Sequence, residues 1–295
     1  MKKLQLTKRD FAILKALWKW KMLTAGAIWR GFFPGKSPVT VYVRLWHLRD
    51  AGFIDWQSID QSGSGFVWCL TSKGFHLVRD ELPDLEQEGY LSESIKHDLF
   101  VTASHLGEWL VTPPSQVELF SEQELRRIKK DAYPDWVPQT DVHRPDGYWR
   151  IPLLGQMVTI ALEVELSQKS ALRYRIMANV YGEFRDIFRV VWIVPSLAMA
   201  RTIRNQIKDS CPDTVDVHNF MLQADFELSG WNAIFQHGFE TGQSLSYLLH
   251  GGHNPPTTVW SRYLLDTRKA PRICETSLIP AMNSILTDPT SVTVP

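Results

Sequence analysis

Cysteine is scarce in this chain of 295 residues: Cys69, Cys211 and Cys274 stand far apart, with no C-x-x-C spacing. A disulfide framework and a four-cysteine zinc site are therefore not expected, and a reducing cytoplasm is the expected setting. No uncharged apolar run of about 18 residues occurs, so no membrane partner is expected. The opening Met1-Lys2-Lys3 and Lys8-Arg9-Asp10 turn charged before an export segment could form. There is no H-E-x-x-H, no G-x-S-x-G, no P-loop and no Rossmann glycine string. What is abundant is apolar and aromatic residues, 44% and 12%, enough for a sizeable core and two domains.

The formal charge of zero hides an asymmetry. Residues 1–80 hold 13 Lys and Arg against 5 Asp and Glu, a net of +8, and the remainder holds 19 against 27, a net of −8. A basic segment of domain size points to a polyanion, because clustered cations displace the counterions condensed on phosphates.

Within that segment Thr7 and Asp10 form a capping pair ahead of Phe11, Ile13, Leu14, Leu17 and Trp18 at helical spacing. Thr24 opens a second helix that ends near Phe33-Pro34-Gly35, and Ser37-Pro38 opens a third that runs to Gly52. The period then changes to two aromatic, β-branched segments, 53–59 and 66–70, joined through Ser62-Gly63-Ser64-Gly65. Three helices and a hairpin is the order of a winged helix-turn-helix, whose third helix enters the major groove of double-stranded DNA. Thr40, Arg44, His47 and Arg49 are the polar residues that this helix offers to DNA; each also reads as part of a solvated face.

Residues 81–96 are acidic and broken by Pro and Gly, and read as a linker. Residues 97–252 alternate between helical and strand patterns, which predicts a mixed α/β sheet domain. Residues 253–295, rich in Pro, Thr and Ser, read as an extended tail.

The chemistry is concentrated in the central strand Met157–Leu166. Glu163 and Glu165 are two apart and share one face of it, while Val164 and Leu166 face the opposite layer. Two neighbouring buried anions repel each other and resist desolvation. A divalent cation resolves the conflict, and Asp146 supplies a third oxygen donor suited to Mg²⁺ or Mn²⁺. The alternative is that the two glutamates face solvent on an edge strand and Asp146 is a turn residue.

Pro145-Asp146, sixteen residues, then Glu163-Val164-Glu165 resembles the core of the PD-(D/E)XK nucleases, with glutamate in place of the usual lysine. The wider string His97-Asp98-Leu99, Arg144-Pro145-Asp146-Gly147, Glu163 to Ser170, Arg173-Tyr174 and Tyr181 resembles the replication-relaxation family, which includes the mobilisation relaxases of the C type. The resemblance runs from about residue 7 to about residue 200. It implies a winged helix followed by a restriction-endonuclease-like domain. Asp146, Glu163 and Glu165 are then metal ligands, Lys169 and Arg173 face the phosphate, and His97 and Asp98 lie on a first helix beside the site. Lys169 is expected to reach in from the first turn of the helix after Glu165.

Two functions follow as expectations. The first is a metal-dependent DNA-nicking or DNA-processing protein of a plasmid or integrated mobile element, acting at an origin of transfer or replication, with other mobilisation or replication proteins as partners. The second is a non-catalytic DNA-binding regulator whose nuclease-like domain serves dimerisation or docking. Tyr174 and Tyr181, seven apart on an apolar helix, are expected to pack against the sheet rather than attack DNA.

Overall fold

A computed structural model describes residues 4–59 and 65–252 together with Leu264 and Leu265. The fold is mixed α/β. Among the described residues no helix is long and apolar enough to cross a membrane. The expected hairpin tip and most of the expected tail lie outside the described residues.

The N-terminal unit comprises α1 (Lys8–Trp20), β1 (Met22–Leu23), α2 (Ala25–Phe32), α3 (Pro38–Asp50), β2 (Ile54–Ser58), β3 (Phe66–Leu70) and α4 (Ser72–Val78). Its sheet has the order β1-β3-β2, antiparallel throughout. Local chemistry dictates the helix starts. Thr7 and Asp10 close a reciprocal capping box, and the hydroxyls of Thr24 and Ser37 accept the free N–H groups of α2 and α3.

The second unit adds α5 (Ile95–Leu106), β4 (Glu118–Ser121), α6 (Glu122–Arg127), β5 (Gly147–Leu153), β6 (Gln156–Val164), α7 (Ala171–Glu183), β7 (Ile187–Val194), α8 (Leu197–Ser210), β8 (His218–Leu222), α9 (Gln223–Ser229) and α10 (Leu245–Leu249). The five strands lie in the order β4-β5-β6-β7-β8. β4, β5 and β6 pair antiparallel, and β6, β7 and β8 pair parallel through α7 and α8. The glutamate-bearing strand is thus the middle one, which removes the edge-strand alternative. Alternation along the strands puts helices on opposite faces. Trp149 of β5 donates its indole N–H to the His105 carbonyl of α5, and Glu163 of β6 accepts from Tyr181 of α7.

Three expectations need correction, and one further stretch had none. The helix after β6 starts at Ala171 with Ser170 as its cap, so Lys169 lies in the preceding loop and not on a helical turn. Residues 223–249 contain α9 and α10, for which the sequence carries no expectation. The stretch read as a linker is packed: Leu85 is buried and bridges Ile128, and the Gly89 carbonyl accepts from Trp18 and Gln123. Leu264, inside the expected tail, is 1% exposed, and Leu265 packs on Met22, Val67, Cys69 and Leu99.

Candidate functional site

Asp146 precedes β5, Glu163 lies near the end of β6, and Glu165 and Lys169 follow in the β6–α7 loop. All four meet at the C-terminal end of the parallel β6–β7 pair. The main chain brings Asp146 there: its N–H bonds to the Leu162 carbonyl and its Oδ2 accepts the Val164 N–H at 2.6 Å. The next residue has to be glycine. Gly147 has φ +138°, and a Cβ there would stand 2.2 Å from His105 Nε2, which bonds to the Asp146 carbonyl at 3.1 Å.

Glu163 and Glu165 are each 3% exposed, and each is met by side chains the fold supplies. Glu163 Oε1 accepts from the Tyr181 hydroxyl and from His143 Nε2 at 2.5 Å. Arg173 Nη2 stands 3.4 Å from His143 Nδ1, so Nδ1 is the acceptor and Nε2 carries the proton. Glu165 Oε2 pairs with Lys169 Nζ at 2.6 Å. Burial pushes the Glu165 carboxyl up; Lys169 opposes this, and the nearby charges of Glu163 and Asp146 add to it. Burial also raises the Tyr181 hydroxyl, and Glu163 raises it further, so it stays protonated and donates.

A second cluster lies behind Asp146, where α5 and α6 meet the N-terminal unit. His97 Nε2 is 3.5 Å from Asp146 Oδ2 and 3.1 Å from the Val164 carbonyl, and its Nδ1 is 3.2 Å from Asp98 Oδ1. Burial works against charging this ring. Asp146, through charge and hydrogen bonding, outweighs burial with help from Asp98 and Glu122, and the pKa is pushed up to about 11. His97 is therefore an imidazolium that donates from both nitrogens. Asp146 is disfavoured by burial but held below the usual carboxylate range by His97, the Val164 N–H and Lys169. Glu122 is raised by burial and by Asp146, against the pull of Lys21 and Arg126.

The acids can be tested as a metal site. Asp146, Glu163 and Glu165 fit Mg²⁺ or Mn²⁺ in kind, being hard oxygen donors, each with one oxygen hydrogen-bonded within the protein. Their oxygens are not drawn into one coordination sphere. Among the described residues, the group whose ligand atoms all lie within 4.8 Å is His97, Asp98 and Glu122.

In the N-terminal unit, Thr40 is exposed beside the Ser37 hydroxyl, and His47 and Arg49 are half-buried on α3. Arg49 stacks over Trp46 at 4.6 Å and bonds to Asp55 at 3.3 Å. Arg44 is engaged within the protein. Its guanidinium grips Asp10, which is 1% exposed, through Nε and Nη2 and also donates to the Gln5 carbonyl. It is a tie between α3 and α1. The basic excess is likewise drawn partly inward: Lys15 pairs with Glu81, Lys19 with Glu124, Lys21 with Glu122 and Arg79 with Glu88. Complementarity between a basic and an acidic unit thus accounts for part of the asymmetry.

The residues that sequence reasoning missed are His143, Glu122 and Lys21. His143 precedes the Arg-Pro-Asp-Gly string by a single position but carries no periodic signal, and Glu122 reads only as the start of a charged helix. No family model matches the chain, and neither a curated protein nor a solved structure matches it.

Proposed function

We propose that this chain is a DNA-processing protein. On this reading its N-terminal unit is a winged helix-turn-helix that binds double-stranded DNA, and its second unit is a PD-(D/E)XK-like domain that cuts a phosphodiester bond. One observation carries the reading: Asp146, Glu163, Glu165 and Lys169 come from three segments and gather at the carboxyl ends of the parallel strands, where open α/β sheets bind ligands. The element order of the N-terminal unit, with α3 ahead of the β2–β3 hairpin, supports the DNA-binding half.

Asp146, Glu163 and Glu165 would hold Mg²⁺ or Mn²⁺, which when bound polarises the phosphate and brings the pKa of water from about 15.7 towards about 7. Lys169, whose side chain is 43% exposed, offers its ammonium to the phosphate at the mouth of the site. Arg173 and His143 hold Glu163 in its orientation, and His97 holds Asp146. Tyr181 is buried and donates its proton to Glu163, so it is a supporting group, and hydrolysis forms no covalent bond to DNA. Plasmid or mobile-element origins remain the substrate class that the family resemblance implies.

A second reading, the non-catalytic regulator, is favoured by one specific feature: every acid of the centre already has a partner within the protein. Nicking of supercoiled plasmid in Mn²⁺ separates the two. The nuclease reading predicts nicking by the native chain and none by Glu163→Gln, with DNA affinity unchanged. DNA binding without nicking by the native chain establishes the regulator instead.

A further inference from the structure

The His97, Asp98 and Glu122 ligand atoms lie within 4.8 Å of one another, the spacing of a metal centre. Beside them is a cavity of about 10 Å³, lined in part by Lys21, Asp98, Thr102, Glu122 and Gln123. Two buried oxygens in this lining have no partner within the protein: Asp98 Oδ2, and Oε1 of Gln123, which is 1% exposed. Two buried carboxylates this close call for a cation, and the chain supplies one at oxygens other than these two. Lys21 Nζ stands 2.6 Å from Glu122 Oε2 and 3.1 Å from Asp98 Oδ1.

Three further observations bear on Lys21. Its ammonium is carried from the other unit, at the end of α1, and the residue as a whole is 6% exposed. Its backbone has φ +61°, a left-handed conformation that glycine adopts at no cost and that a long side chain adopts at some cost. A lysine there is explained by what its side chain reaches. Charge in the cluster already balances: Lys21 and Arg126, whose Nε is 2.7 Å from Glu122 Oε1, stand against Asp98 and Glu122. A divalent ion added to this set would leave it two charges in excess.

We infer that Lys21 is the resident cation of a metal-shaped cluster and that the chain Lys21–Asp98–His97–Asp146 makes the N-terminal unit part of the acid centre. Lys21 is a positioning residue: it fixes Asp98, Asp98 holds the His97 ring, and the ring holds the Asp146 carboxylate. The inference deepens the proposed function and rests on it for the role of Asp146, but its test needs neither DNA nor nicking.

The test is Mn²⁺ binding to the full-length chain, followed by electron paramagnetic resonance of the free ion. Only the Mn²⁺ that Asp98→Asn removes is counted. All the proteins compared, the one with the native residues at 21 and 98 included, carry Glu163→Gln, so the Asp146, Glu163 and Glu165 centre, which Asp98 reaches through His97, holds no ion in any of them. The protein native at 21 and 98 and Lys21→Arg are expected to bind no Asp98-dependent Mn²⁺. Lys21→Ala is expected to gain one equivalent, lost again in Lys21→Ala/Asp98→Asn. An Asp98-dependent ion in the protein native at 21 and 98, or a folded Lys21→Ala that gains none, overturns the inference. Should Lys21→Ala fail to fold, Lys21→Met/Glu122→Gln removes one charge of each sign and leaves the balance intact. Its His97 ring ¹⁵N resonances are expected to move while those of Lys21→Arg stay in place; unmoved resonances in the double variant overturn the coupling.

Discussion

The two units of this protein are held together by interactions of different reach. In the N-terminal unit the groups that define the helices are neighbours in sequence, as with Thr7 and Asp10, three residues apart. In the second unit the groups that define the acid centre come from far away. His143 meets Glu163 across 20 residues, His97 meets the Val164 carbonyl across 67, and Lys21 meets Glu122 across 101. A local bond tolerates replacement because water or the helix itself can partly substitute for it. A long-range buried pair leaves an orphaned charge when one partner is removed.

The largest stability effect is expected at Lys21. Lys21→Met leaves Asp98 and Glu122 buried without their ammonium, and urea unfolding should show a loss of roughly 3–5 kcal/mol, the range for breaking one side of a buried ion pair. A loss below about 1 kcal/mol would mean that the cluster rearranges and the contrast between the units fails. Arg44→Met, also in the N-terminal unit, sharpens the contrast. Asp10 keeps its bonds from Thr7 but loses the guanidinium, so the cost should be smaller, about 2–3 kcal/mol. Were Arg44 instead a DNA contact, this variant would keep its stability and lose salt-sensitive affinity for duplex DNA.

Acid should weaken the sheet unit through His105 and His218, both lowered by burial to about 3. Each ring is neutral in the fold and takes a proton in the unfolded chain. Stability should therefore fall as pH drops from about 6.5 towards 3, by roughly 1 kcal/mol per pH unit for each ring. Urea midpoints at pH 7 and pH 5 measure this. His97 has the opposite sign: raised to about 11, it contributes fully below about 6.5, and that contribution is lost as pH rises through 11. The smallest effect is expected at Lys169→Met. Its ion pair is 43% exposed on the lysine side, so stability should change by less than about 1 kcal/mol, while nicking, on the proposed reading, is lost.

The same difference in reach decides what could be read in advance. Caps, helix spacing and the β2–β3 hairpin depend on residues within a few positions of each other, and the sequence shows them. Glu163 on β6 was visible for the same reason, while the strand ends at Val164 and leaves Glu165, expected on the same strand face, in the loop after it. The start of α7 was not visible: the Ser170 hydroxyl accepts the Arg173 N–H and sets it, two residues beyond where the expectation for Lys169 required. The Arg44–Asp10 tie was not legible, because a polar residue on a helix looks the same whether it meets DNA or Asp10. Lys21 and His143 lie outside any periodic pattern, and their roles come from partners in other segments.

On the proposed reading, Asp146, Glu163 and Glu165 would hold the metal while Lys21 serves as cation for the cluster behind them. Anomalous diffraction from crystals of the native chain soaked in Mn²⁺ tests both halves at once. The account predicts a peak contacting Asp146, Glu163 and Glu165, absent in Glu163→Gln, with no peak between His97, Asp98 and Glu122. A peak at the latter cluster in the native chain, or none at the former, would contradict it.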